Sequence, residues 1–216
     1  MKLSFTLAII DGKKGIDLEI YDKTASVQDL LDAIQQWCDD GEIFKAYLPE
    51  EKGSCCGCPV NCCRECYVIP DAVSFYQWES YLGMPAAELV EYCLDADCLS
   101  RGIPRLRSSP CLFLQDRLCQ IYPYRTLICR LYICTLMSDR ASEVVYRVAA
   151  AGQGELVRRL RQEGYLLPAV QPGGAGYEQQ LMRVIEAEAE RADNPFKNAE
   201  SYAEVPLAPF LGSFFK

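Results

Sequence analysis

Leu3-Ser4-Phe5-Thr6-Leu7-Ala8-Ile9-Ile10-Asp11-Gly12-Lys13-Lys14-Gly15-Ile16-Asp17-Leu18-Glu19-Ile20 is the stretch that decides the fold class. Leu3, Phe5, Leu7 and Ile9 alternate with polar or small residues, and Ile16, Leu18 and Ile20 alternate again beyond Asp11-Gly12-Lys13-Lys14-Gly15. Successive side chains of a strand point to opposite faces, so two runs of period two around a glycine-bearing turn predict a hairpin over residues 2–22. Ser26 then stands as a helix N-cap, with Asp29 at the reciprocal position of a capping box. Val27, Leu30, Leu31, Ile34, Trp37 and Cys38 recur at helical spacing and predict one buried helix face. Cys38 lies on that face and reads as a core thiol.

Working outward, hairpin plus helix resembles the opening of a ubiquitin-like β-grasp. Pro70-Asp71 predicts the start of a helix running to about Leu82 and closed by Gly83, and Pro85 to Cys93 predicts another. Val73, Phe75, Trp78, Tyr81 and Leu82 bring large apolar mass, enough to wall a site built on loops. From Ser142 the pattern is helical through Val144, Val145, Val148 and Ala149, then Leu156, Val157 and Leu160, with a break expected at Gly152 and Gly154. Pro172-Gly173-Gly174 reads as a linker. Tyr177, Leu181, Val184 and Ile185 predict a last amphipathic helix whose stripe fades at Glu188. Phe210, Leu211, Phe214 and Phe215 form an apolar tail expected to dock on its own domain. The expectation is an α+β fold in one domain: an N-terminal ββα unit (1–52), a central cysteine-rich metal-binding region (53–140) and a C-terminal helical layer (141–216).

With 50% apolar and 24% charged residues the composition is that of an ordinary globular chain, and 216 residues suffice for a full core. The net charge of −8 argues against nucleic-acid binding through phosphate neutralisation. No stretch approaches the ~20 apolar residues that span a bilayer, so no membrane partner is expected. The first residues lack the pattern of a cleaved leader, so a cytoplasmic, reducing location is expected, where thiols stay free. Nothing in the sequence singles out a particular protein or small-molecule partner, a phosphate-binding glycine loop, or a nucleophile–base pair.

Thirteen cysteines and no histidine narrow the chemistry sharply. Sites of the Cys₂His₂ or His₃ type and Ser–His or Cys–His catalysis are excluded, and any transition metal must rest on sulfur. Six of the thirteen fall in Cys55-Cys56-Gly57-Cys58-Pro59-Val60-Asn61-Cys62-Cys63-Arg64-Glu65-Cys66, and a second group follows at Cys111, Cys119, Cys129 and Cys134. A packed core does not need six thiols on one loop, whereas a zinc or iron centre takes about four soft thiolates. Cys55-x2-Cys58-x3-Cys62-Cys63 contains a CxxC turn that lets two thiolates reach one metal. Cys55-x2-Cys58-x4-Cys63-x2-Cys66 is the rival parse. Adjacent cysteines diverge in extended chain, so each vicinal pair serves two metals, or one metal and the core. Cys56, Cys66, Cys93 and Cys98 are expected to be buried or reactive thiols rather than ligands. Seven arginines (Arg101, Arg105, Arg107, Arg117, Arg125, Arg130, Arg140) accompany the second group against only Asp116 and Asp139, a bias that would stabilise an anionic thiolate centre.

The second group, Cys111-Leu112-Phe113-Leu114 with Cys119-Gln120-Ile121-Tyr122 and Arg125-Thr126-Leu127-Ile128-Cys129-Arg130, taken with Cys55, Cys58, Cys62 and Cys63, resembles the CxxCxxCC cysteine-cluster family, whose domains are regarded as zinc- or iron-chelating. The resemblance spans about Cys55 to Tyr132. Thr126 stands where that family usually has proline, and Cys134 takes the place of its late cysteine. One branch of the family resembles flagellin lysine N-methylases with an iron–sulfur cluster, but the matching residues here are the cysteines and not a methyl-donor site. The resemblance implies a metal set of Cys55, Cys58, Cys62, Cys63, Cys111, Cys119, Cys129 and Cys134. Arg125 and Arg130 are expected beside the cofactor, which is an iron–sulfur cluster with a redox or group-transfer role, or zinc in a structural module without catalysis.

Overall fold

A computed structural model describes residues 1–40, 57–58, 62–168 and 176–212. Strands β1 (Leu3–Ile10) and β2 (Lys13–Ile20) pair antiparallel with Leu3 opposite Ile20 and Ile10 opposite Lys13. Asp11 and Gly12 both take positive φ, 50° and 74°, the conformation of the tight two-residue hairpin turn. The turn is therefore shorter than the expected five residues, and Gly15 lies inside β2. The alternation holds, but burial stops short of the turn: Leu3 and Phe5 are covered, whereas Leu7 and Ile9 are 52% and 73% exposed.

Helix α1 (Val27–Asp39) starts as its sequence dictates. The Ser26 hydroxyl accepts from the Asp29 N–H and the Asp29 carboxylate accepts from the Ser26 N–H at 2.8 Å, a complete capping box. All six stripe residues, Cys38 included, are buried. Helices α2 (Ala72–Leu82), α3 (Ala86–Cys93) and α4 (Ala96–Ser100) follow. Asp71 caps α2 and Gly83, at φ 66°, ends it in the left-handed conformation. Cys93 and Cys98 are buried, as expected of core thiols. A small hairpin, β3 (Leu114–Gln115) with β4 (Leu118–Cys119), turns through Asp116 and Arg117. Helix α5 (Leu127–Leu131) leads to β5 (Leu136–Met137), which joins the first sheet parallel to β2, giving the order β1-β2-β5. Ile121 precedes a 3₁₀ turn (Tyr122–Tyr124) and Leu131 ends α5, both buried, whereas Tyr132 is 53% exposed.

Helix α6 (Asp139–Gln162) runs unbroken through Gly152 and Gly154, against the expected break. Both glycines sit in mid-helix because a side chain would not fit. A Cβ on Gly154 would meet the Glu188 Cβ at 2.7 Å and the Ala189 backbone at 2.8 Å, and one on Gly152 would meet the Asp71 Cβ at 2.9 Å. Gly154 allows the close approach of α7 (Tyr177–Glu190), and Gly152 that of Asp71, Leu127 and Phe196. On α7 the buried residues are Met182, Ile185 and Ala189, while Tyr177 and Val184 are exposed, so the stripe is rotated from the expected one and continues past Glu188. Polar Glu178 and Glu186 lie close in helical angle to that stripe, and the Tyr177–Val184 spacing fits a helix face equally well. The tail closes the fold: the Val27 N–H donates to the Val205 carbonyl and the Leu207 N–H to the Ala25 carbonyl, and Phe210 and Leu211 are buried. Phe214, Phe215, Pro172-Gly173-Gly174 and Glu50-Glu51-Lys52-Gly53 lie outside the described residues. The α+β class with an N-terminal hairpin stands.

Two cores result. The first gathers the hairpin, α1 and the tail with Val144, Val145 and Val148 of α6. The second gathers Phe75, Trp78, Leu89, Phe113 and Ile121 with Leu156, Val157 and Leu160 of the same helix. Among the described residues no helix is long and apolar enough to cross a membrane.

Candidate functional site

Eight cysteines line one cavity of about 300 Å³: Cys58, Cys62, Cys63, Cys66, Cys111, Cys119, Cys129 and Cys134. They come from three segments. Cys62 and Cys63 sit on a 3₁₀ turn, Cys62–Arg64, and Cys66 follows it. Cys111 is tied to that turn directly, its backbone N–H donating to the Cys63 carbonyl at 2.8 Å. Cys119 is on β4, placed by a two-residue turn in which Asp116 and Arg117 both have positive φ. Cys129 is in the first turn of α5, its N–H donating to the Thr126 carbonyl at 2.9 Å, and Cys134 lies between α5 and β5. Trp78, Phe113 and Ile121 supply the apolar wall, with the Trp78 indole N–H donating to the Tyr124 carbonyl at 2.7 Å.

The third segment hangs on one buried carboxylate. Asp71 is fully buried, and its oxygens accept from the Ser74 N–H of α2 at 3.0 Å and from the Leu127 N–H of α5 at 2.8 Å. Thr126 donates its hydroxyl to Asp71 at 2.7 Å and accepts from the Asp71 N–H at 3.0 Å. One side chain thus caps two helix N-termini, where partial positive charge favours an anion. Proline at 126 could make neither side-chain bond, so threonine at this place has a structural reason. The Tyr202 hydroxyl, from the tail, also donates to Asp71, at 3.0 Å.

Arg125 and Arg130 face different ways. Arg125 lines the cysteine cavity; its guanidinium lies 3.6 Å from the Tyr122 ring centroid, donates to the Tyr122 carbonyl at 2.9 Å and reaches Gln35 of α1 at 3.0 Å. Arg130 is not on that cavity. It packs against the Tyr202 ring at 5.8 Å, on the side of the buried Asp71, and burial lowers its pKa.

The thiols act on one another. The hydrogen bond to Cys63, then burial, pushes the Cys62 thiol up; the hydrogen bond to Cys66, then burial, does the same to Cys111. Cys66, accepting from Cys111, is lowered. Burial, and then the charge of Cys111, raises Cys129, while Arg125 opposes the rise. Thiolates so close repel, so the protons are held; a cation in their place would remove that repulsion. Eight sulfur donors, in a partly apolar cavity also lined by Glu65, Arg117 and Arg125, fit zinc or an iron–sulfur cluster by chemistry. Among the described residues no three ligating side chains are already drawn close enough to hold an ion, so loading would include side-chain rotation.

Of the residues expected from sequence, Cys58, Cys62, Cys63, Cys111, Cys119, Cys129, Cys134 and Arg125 meet in this cavity; Arg130 does not, and Cys55 and Cys56 lie outside the described residues. Cys66, expected to be a buried or reactive thiol rather than a ligand, lines the same cavity. The signal for it was the spacing Cys63-x2-Cys66 in the rival parse. Comparison of the chain with protein-family models, with curated proteins and with solved structures finds no match.

Proposed function

We propose that this is a thiolate-ligated metalloprotein whose cysteine cavity holds an iron–sulfur cluster. One observation carries the reading: three chain segments, up to 76 positions apart from Cys58 to Cys134, bring eight thiols to a single cavity. The motif resemblance around Cys111 to Arg130 supports it. Cys111, Cys119 and Cys129 would be ligands, with the remainder from Cys58, Cys62, Cys63, Cys66 and Cys134, and Arg125 would offset the negative charge of the centre. A cluster supplies electron transfer when bound. Eight thiols exceed the roughly four that a lone zinc takes, and Arg117 and Arg125 on the cavity wall suit an anionic cluster. A redox or group-transfer role follows from such a centre, in a reducing compartment.

Metal and acid-labile sulfide content, with the visible spectrum, on protein purified without oxygen test this. Iron with sulfide and a broad visible band is the expected result, lost in Cys129→Ser and kept in Cys38→Ser. Zinc without colour would turn the cavity into a structural staple. Neither metal would overturn the proposal.

A further inference from the structure

A second and larger depression opens beside the cysteine cavity. It is a groove of about 1110 Å³ lined by Arg64, Arg105 and Arg117 together with Glu65 and Asp116. Glu65, Cys66, Tyr67 and Arg117 line both spaces, so groove and cavity are continuous. Three guanidinium groups against two carboxylates leave the groove net positive in a chain whose net charge is −8. Like charges gathered against the general sign of a protein focus its field on an oppositely charged ligand.

Arg105 is the most specifically built of the three. Its guanidinium lies over the Tyr67 ring at 4.6 Å and donates to the neutral Ser108 hydroxyl at 2.6 Å. The nearby Glu178 is already engaged at both oxygens, by Tyr67 at 2.8 Å and by Arg101 at 2.7 Å. Arg105 Nε is buried with no hydrogen-bond partner. A buried donor without an acceptor costs about 1–3 kcal/mol, a cost that an incoming oxygen would remove. The groove thus has Arg105 held by Tyr67 and Ser108, the exposed Arg64 and Arg117, and a wall shared with the cysteine cavity at Cys66.

We infer that this groove binds a small molecule through an oxyanion, a phosphate or a carboxylate, and presents the rest of that molecule to the cysteine cavity at Cys66. Guanidinium groups match both oxyanions in the same bidentate way. Binding itself needs no metal; only the groove's role as substrate site rests on the function proposed above.

Isothermal titration of the full chain, purified without oxygen, with inorganic pyrophosphate and separately with citrate tests it. Saturable binding of at least one probe is expected, and the tighter one assigns phosphate or carboxylate. Arg117→Gln and Arg64→Gln, both exposed and so safe for folding, should each weaken it, and Arg105→Gln should weaken it about tenfold or more. Arg183→Gln, an exposed arginine outside the groove, should leave it unchanged. No saturable binding of either probe, or binding indifferent to all three groove variants, overturns the inference. Metal content measured on the same samples separates the two claims: absent metal with intact anion binding refutes the cluster alone, and full metal without anion binding refutes the groove alone.

Discussion

The two cores are built on opposite principles. The first, around α1, mixes aliphatic side chains with Phe5, Trp37, Phe196 and Phe210 on the eight-residue hairpin strands, α1 and the tail, and its one cysteine, Cys38, is buried among them. The second holds Cys93, Cys98 and Cys111 among aromatic rings, on short helices and two-residue strands, with the thiol-lined cavity at its edge. Regular elements bury their own polar backbone and so need no ligand. Loop-built walls gain rigidity from whatever they enclose. The first region is therefore expected to hold its shape by itself and the second to depend on its contents.

The largest blow to both regions at once should come from Asp71→Ala, because that carboxylate caps α2 and α5 and takes the Tyr202 hydroxyl of the tail. Loss of about 3–5 kcal/mol in chemical denaturation is expected, the scale of breaking a buried charged network. A loss under about 1 kcal/mol would mean that the two regions are stitched elsewhere. Next comes Gly154→Ala. An exposed helical glycine would gain stability from this change, but here the new Cβ would lie 2.7 Å from Glu188, so a loss of about 1–3 kcal/mol is expected by overpacking. Stabilisation would contradict the tight contact of α6 and α7. Ser26→Ala, which removes the capping box of α1, should cost about 1 kcal/mol and leave metal content untouched, confining its effect to the first core.

Acid should strike at α6 through both regions. Burial raises the Asp17 carboxyl, but hydrogen bonds from Ser138, Arg140 and the Leu18 N–H outweigh it and leave the pKa lowered. Burial likewise opposes, and Arg158, Arg159 and the Asn198 N–H overcome, at Glu155. Groups whose folded pKa is lowered contribute stability above their unfolded pKa, about 4, and lose it as pH falls through the lower folded value. Stability measured from pH 6 to pH 3 should therefore decline below about pH 4, and Asp17→Asn should flatten that decline.

The hairpin, the capping box of α1, and the Asp71 and Gly83 ends of α2 were legible because local rules set them. What escaped was set by tertiary contact. Gly152 and Gly154 carry the ordinary sign of a break, and only the segments packed on them, Asp71, Leu127 and Phe196 on one and α7 on the other, show that they are spacers. Strands β3 to β5 are two residues each, too short for any period. Cys66 was visible only as spacing, and Arg125 and Arg130 could not be told apart without knowing that the first lies before α5, on the cavity, and the second on α5, against Tyr202. The meeting of the two cysteine groups, by contrast, was readable from their number alone.

Helix α6 gives Val144, Val145 and Val148 to one core and Leu156, Val157 and Leu160 to the other along a single hydrogen-bonded rod of 24 residues. A rod shared in this way makes the two halves melt as one cooperative unit. Any ligand captured only by the folded cysteine region then raises the free energy of opening for the whole chain. Amide protons of the β1–β2 hairpin, no residue of which lines the cysteine cavity, should exchange more slowly when that cavity is filled.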